Sequence, residues 1–304
     1  MGTLLNRRRY MGGGSAPIPD YLKLTAVEDT TFTITIPANI GTSTYEYIEY
    51  SVNNGGTWVK TNNVASTEVV VNIPLVSSGN NVLLRGKGKG FGGETVYCSI
   101  SSSGKFSASG NIVSLLAVDD FETFTVSNAF AIANIFKNSM VTDASALTLY
   151  KGAATRGIFA SMFEGCVYLT HAPTVCTSNA AQNSFLRMFL GCTSLIDAGG
   201  PLPPDVKINS HSDMYNGCTS LVNAPVIPCT FTYNNGMNRM FKDCTSLQYI
   251  KYMTLNQLVS STNSDWVLNV PTGGTFVKNS AATWTNSFSK NQIPQGWTVI
   301  TEDS

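Results

Sequence analysis

Met214-Tyr215-Asn216-Gly217-Cys218-Thr219-Ser220-Leu221-Val222-Asn223-Ala224 is the stretch that decides the fold, because its Met, aromatic, Cys and Leu return at a fixed interval. Met162, Met188, Met214 and Met240 lie 26 residues apart. The same interval links Phe163, Phe189, Tyr215 and Phe241, then Cys166, Cys192, Cys218 and Cys244, then Leu169, Leu195, Leu221 and Leu247. A fixed period of this length marks a chain built from stacked units. One further step puts Trp266, Val267 and Val270 in the Met, aromatic and Cys columns but Gly273 in the Leu column, a degenerate fifth unit. Upstream, Ile135, Phe136 and Ser139 fit the first three columns if one extra residue is allowed, so the array runs from about residue 111 to 280.

Within a unit, Phe185, Met188, Phe189 and Cys192 recur at i, i+3, i+4 and i+7, the apolar stripe of a short helix. A turn is expected at Gly191 and Gly217. The stretch Leu221 to Ile227 reads as extended, since Pro225 cannot continue a helix. One helix and one short strand per unit is the geometry of a leucine-rich repeat. No unit buries its own stripe, so stability must come from stacking, each large buried side chain contributing roughly 1.5–3 kcal/mol against the entropy of ordering.

The segments MFEGCVYL, MFLGCTSL, MYNGCTSL and MFKDCTSL, with Ala172-Pro173 and Ala224-Pro225 following, resemble the BspA-type leucine-rich repeats of surface proteins of gut Bacteroides-type bacteria and their phages. Gly274 to Lys278 and Ile293 to Val299 resemble the C-terminal cap of those proteins. The pattern departs at Ala198-Gly199-Gly200-Pro201, where Ala-Pro becomes Ala-Gly-Gly and a bulge is expected. The resemblance implies a non-enzymatic surface or virion protein.

Ahead of the array, residues 20 to about 109 show short alternating segments: Thr31 to Ile36, Tyr45 to Tyr50, Thr57 to Val59, Glu68 to Ile73, Asn81 to Leu84 and Glu94 to Cys98. Period-two patterning with turn signals between reads as an immunoglobulin-like sandwich, and Asn54-Gly55 as a type I′ hairpin turn. Ser51 to Trp58 resembles the Asp-box of sialidases, a structural hairpin even there, and no arginine triad accompanies it.

The chain of 304 residues has room for two ordinary domains. Its 12% charged residues fit β-rich extracellular and virion proteins better than cytoplasmic enzymes. Nineteen basic and nineteen acidic residues cancel, giving no global electrostatic reason to expect nucleic acid or an anionic membrane. No apolar run approaches the ~18 residues needed to span a bilayer. Leu4-Leu5 precedes the arginines and so forms no signal-peptide core. Residues 1–19 hold Arg7-Arg8-Arg9-Tyr10 and Gly12-Gly13-Gly14. Short Arg-Arg-Arg-Tyr openings are similar to those of structural proteins of Bacteroides-infecting phages. Two readings stand side by side: an arm whose arginines anchor it to other virion proteins, and a solvated terminus with no partner.

Convergent titratable groups are scarce. His171 and His211 fall at different points of their units, and the cysteines lack zinc-type spacing, so neither a metal nor a cofactor is expected. Arg85 to Gly93 is glycine-rich and basic but lacks the phosphate-loop spacing, and reads as a mobile loop. The seven cysteines are expected to be reduced core residues. Binding is the more promising chemistry. The Met, Cys and Leu columns stay fixed while the column two after Leu runs His171, Asp197, Asn223, Tyr249, and the one beside it Thr170, Ile196, Val222, Gln248. Changeable positions near the strand suit a ligand face, and equally suit ordinary surface variation. His171, Asp197, Asn223, Tyr249, Thr170 and Gln248 are the candidate ligand residues.

The expectation is therefore multidomain: arm 1–19, all-β immunoglobulin-like sandwich 20–109, α/β leucine-rich-repeat solenoid 110–265 and capping segment 266–304. The expected function is a non-enzymatic phage fibre or decoration protein at the virion surface. It would be homo-oligomeric and would bind bacterial surface glycan or protein. The alternative is a bacterial cell-surface adhesin.

Overall fold

The computed structural model describes residues 20–38, 45–62, 67–118, 120–121, 123–228, 235–257 and 263–303. The arm residues Arg7, Arg8, Arg9 and Tyr10 lie outside them.

The first half is two packed antiparallel sheets. One takes β1 (Leu22–Ala26), β3 (Tyr45–Ser51), β4 (Val59–Asn62), β6 (Asn81–Gly88) and β8 (Phe106–Asn111) in the order β8-β1-β6-β3-β4. The other is β5-β2-β7, from β2 (Thr30–Ile36), β5 (Val69–Val76) and β7 (Ser99–Ser102). Alternation decides the faces: Phe32, Ile34 and Ile36 of β2 point inward, as do Phe106, Ala108 and Gly110 of β8. Asn54 and Gly55 both have positive φ, at 54° and 83°, as the hairpin turn requires. Asn53 closes the Asp-box-like loop, its Oδ1 accepting from Ser51 Oγ at 2.8 Å and the Thr57 amide at 2.9 Å. The stretch Arg85 to Gly93 is not a mobile loop. It begins inside β6, where Arg85 lies over Trp58 at 4.0 Å and pairs with Glu49, and it continues to a buried Phe91.

The second half corrects the α/β expectation. Strand makes up 30% of the structure and helix 2%, and among the described residues the α-helix is α1 (Ser114–Ala117), ahead of the repeats. The leucine-rich-repeat solenoid of helix and strand is not formed. Each unit is instead a run of turns laid flat against its neighbours. Alternate amides behave differently: Met162 N–H donates to Phe159 O three residues back, whereas Phe163 N–H donates at 2.9 Å to Met188 O in the next layer. Phe189 to Met214, Tyr215 to Met240 and Phe241 to Trp266 repeat the second bond at 2.8–2.9 Å.

The physical reason is a left-handed residue at every fourth position. Asn183, Arg187 and Gly191 have positive φ, as do Asn209, Asp213 and Gly217, then Asn235, Arg239 and Asp243, then Asp265, Asn269 and Gly273. A left-handed residue breaks a right-handed helix within one turn, and Asn, Asp and Gly tolerate that region best. The i, i+3, i+4, i+7 burial survives, since Phe185, Met188, Phe189 and Cys192 are all fully buried. A chain of four-residue turns carries that stripe as well as a helix does. The expected strand shrinks to isolated parallel bridges, except where β11 (Tyr249–Tyr252), β12 (Thr275–Asn279) and β13 (Thr298–Glu302) form a small parallel sheet.

Stacking builds continuous interior columns. Phe136, Phe163, Phe189, Tyr215 and Phe241 lie ring on ring, 5.3–5.7 Å apart and within 16° of parallel. The column passes through Phe106 to Phe32, so sandwich and stack share one core. β9 (Val141–Asp143) and β10 (Leu147–Thr148) also pair in parallel with β8. Each register cysteine does more than fill space. Its thiol donates to the carbonyl of the aromatic residue one layer back, Cys166 to Phe136, Cys192 to Phe163, Cys218 to Phe189 and Cys244 to Tyr215, at 2.9–3.2 Å. A valine of similar size would fill the space without supplying that donor. Burial pushes the Cys166 thiol up to about 11 and the Cys192 and Cys218 thiols well above their ordinary value.

Candidate ligand face

The changeable column forms a ladder. Asp143 bridges His171, His171 bridges Asp197, and Asn223 bridges Tyr249, all in parallel. Asp197 and Asn223 are exposed, and His171 and Tyr249 half-buried. In the adjacent column Ile196 and Val222 are 53% and 42% exposed, unusual for large apolar side chains, and Gln248 is exposed. The fixed columns point inward and the changeable ones outward because the chain turns away from the core immediately after each buried Leu.

Hydrogen bonds set how His171 presents itself. The Thr170 hydroxyl donates to Thr142 O at 2.8 Å, and with its proton committed its oxygen accepts from His171 Nδ1–H at 2.9 Å. Nε2 is left as the acceptor. Thr170 is thus an orienting residue, tied down on both sides.

Two rungs share one pattern and the rung between them does not. Ile196 and Asp197 amides both donate to Thr170 O, and Gln248 and Tyr249 amides both donate to Val222 O. The corresponding bonds from Val222 and Asn223 to Ile196 O are not made. The break sits beside Ala198-Gly199-Gly200, the departure visible in the sequence. Gly199 adopts φ 81°, and a Cβ there would lie 2.5 Å from Pro173 O. With one residue more than the neighbouring unit before Leu202 rejoins the layer below through Val226 O at 3.0 Å, the corner is pulled away. Tyr215, stacked among Phe163, Phe189 and Phe241, donates from its buried hydroxyl to Ala198 O at 3.1 Å. A shallow cleft of about 320 Å³ opens there, lined by Ile196, Asp197, Ala198, Gly199, Asn223, Ala224 and Pro225.

No cluster of three or more His, Cys, Asp or Glu able to hold a metal occurs among the described residues. His211 lies inside the core, away from His171 on the face, so the histidines do not converge. Ser102 spends its hydroxyl on Gly104 O at 2.7 Å. Two larger hollows, of about 500 and 410 Å³, lie where sandwich and stack meet, lined by Asp20, Asn111, Phe121 and Tyr150 and by Glu46, Lys87, Leu116 and Phe124. Among the described residues no helix is long and apolar enough to cross a membrane. No protein family, curated protein or solved structure matches the chain.

Proposed function

We propose that the chain is a non-enzymatic binding protein of a virion surface, a fibre or decoration protein that holds its stacked layers toward a bacterial glycan or protein. The observation that supports this reading most directly is the ladder of His171, Asp197, Asn223 and Tyr249. A rigid core fixes its spacing, and its side chains differ from rung to rung. Mixed carboxylate, amide, imidazole and phenol groups on a fixed lattice suit recognition of a polar surface polymer more than any one reaction. The virion assignment rests on the Arg7-Arg8-Arg9-Tyr10 arm, which would pair with carboxylates of other virion proteins, and on the likeness of the repeated segments to BspA-type surface proteins. Homo-oligomerisation belongs to the same proposal.

Two measurements test it. Mass spectrometry of purified particles of the encoding virus is expected to find the polypeptide, and the purified chain is expected to adsorb to host cells. Absence from particles with recovery in a bacterial outer-membrane fraction would replace the virion reading with the cell-surface adhesin.

A further inference from the structure

The interrupted rung is the feature that carries most. On the rungs to either side, the amides of Ile196 and Asp197 and those of Gln248 and Tyr249 are consumed by the layer before. Between Ile196 and Asn223 they are not: among the described residues, the N–H groups of Val222 and Asn223 and the carbonyl of Ile196 make no hydrogen bond. All three residues are exposed, and Ile196 and Asn223 line the cleft. Asp197 lines the cleft next to Ile196, its Oδ1 accepting from the Gly199 amide at 3.0 Å, which engages one of its two carboxylate oxygens. The one-residue bulge at Gly199-Gly200 and the Tyr215 hydroxyl bound to Ala198 O lie beside the gap.

These groups select a ligand chemistry. A pair of amide donors alone would suit an anion, but the Asp197 carboxylate repels one. A cation would find a single carboxylate already half engaged. A hydroxyl both accepts and donates, so adjacent hydroxyls can accept from Val222 and Asn223 N–H while donating to Asp197 and Ile196 O. The exposed Ile196 and Val222 side chains beside the polar groups offer an apolar surface for C–H faces. We propose that the gap is a monosaccharide subsite that recognises a neutral sugar through adjacent hydroxyls. This rests on the glycan-binding form of the proposed function and gives it a place on the ladder.

Saturation-transfer NMR tests it, using the full chain and the methyl glycosides of glucose, galactose, mannose and N-acetylglucosamine. At least one is expected to bind in the millimolar range. Asn223→Trp, which fills the cleft from an exposed position, and Asp197→Ala should each weaken it about tenfold or more. Glu68→Ala, at an exposed position of the sandwich outside the cleft lining, should leave it within about twofold. Unchanged melting temperatures would show that the variants fold. Sugar binding that survives both Asn223→Trp and Asp197→Ala overturns the subsite while leaving glycan binding elsewhere on the chain intact. No transfer to any of the four glycosides also overturns the subsite. Adsorption of the chain to periodate-oxidised cells as well as to untreated ones would then remove glycan from the proposed function, and loss of all adsorption would remove the function itself.

Discussion

Replacing His211 with Met should make the protein resistant to mild acid. His211 occupies an interior column that holds Phe159 and Phe185 in the layers before it and Met237 in the layer after, all fully buried. Its ring lies 5.1 Å from that of Phe185, Nδ1 meets Ser210 Oγ at 2.8 Å, and Nε2 has no partner among the described residues. Burial without a countercharge lowers its pKa from 6.5 to about 3. The folded state therefore refuses a proton that the unfolded chain accepts. Stability is complete above pH 6.5, falls as pH drops below it, and levels off once pH passes the folded value near 3. At ~1.4 kcal/mol per pH unit the full loss is about 5 kcal/mol, and the share already lost at pH 4.5 is about 3 kcal/mol. That is a large fraction of an ordinary domain's stability. Urea unfolding of wild type and His211→Met at pH 7.5 and 4.5 isolates the effect, because the carboxylates titrate in both proteins and cancel in the difference. At pH 7.5 the variant should match or exceed wild type, since it removes an unsatisfied buried nitrogen. It should then lose about 3 kcal/mol less on acidification. A difference under ~1 kcal/mol would mean that the imidazole reaches water or an acceptor in the folded state, and the argument from burial would fall.

Tyr215→Phe, though it restores the residue of its column, should lower stability by about 1–2 kcal/mol in urea titration, because Ala198 O loses its buried donor. An unchanged or higher stability would show that the Ala198 carbonyl finds water. Arg239→Ala should cost about 1–3 kcal/mol, since it strips the two-pronged 2.7 and 2.8 Å contact from an Asp213 carboxylate only 5% exposed. The same loss from Lys87→Ala, whose pair with Glu46 is more than half exposed, would contradict the role given to burial. Iodoacetamide applied to the native protein at pH 8 should modify half-buried Cys176 well before Cys166, Cys192, Cys218 and Cys244. Peptide mass mapping reads the order, and equal rates would mean that the layers open.

Much of this architecture was visible in the residues, and the part that was not has an identifiable cause. The period, the buried columns and strands such as β2, β3, β5 and β6 follow from where apolar side chains recur, whereas β7 and β8 were not anticipated and Glu94 to Cys98 forms no strand. Phe136 and Ser139, admitted with one residue of slack, take their places in the aromatic and Cys columns, Ser139 Oγ lying 3.6 Å from Cys166 Sγ. The helix did not follow, because Phe185, Met188, Phe189 and Cys192 satisfy two conformations equally. The discriminating signal lay in the polar residues between them: Asn209, Asp213, Gly217 and their equivalents mark every fourth position as left-handed. Apolar spacing reports which side chains are buried, whereas residues able to adopt positive φ report how the backbone turns between them.

The same distinction explains where a binding site can arise on such a chain. Every interior position is constrained twice, by its own layer and by the one above, so Met188, Phe189 and Cys192 cannot change without disturbing Met214, Tyr215 and Cys218. The corner after each Leu carries no such double constraint. An extra residue there costs only the rung from Val222 and Asn223 to Ile196, exposed groups that water can satisfy, while the buried Ala198 carbonyl accepts from the Tyr215 hydroxyl. A stack of fixed layers therefore concentrates variation at its corners. A corner whose rung is open presents fixed donors and acceptors to whatever lies outside.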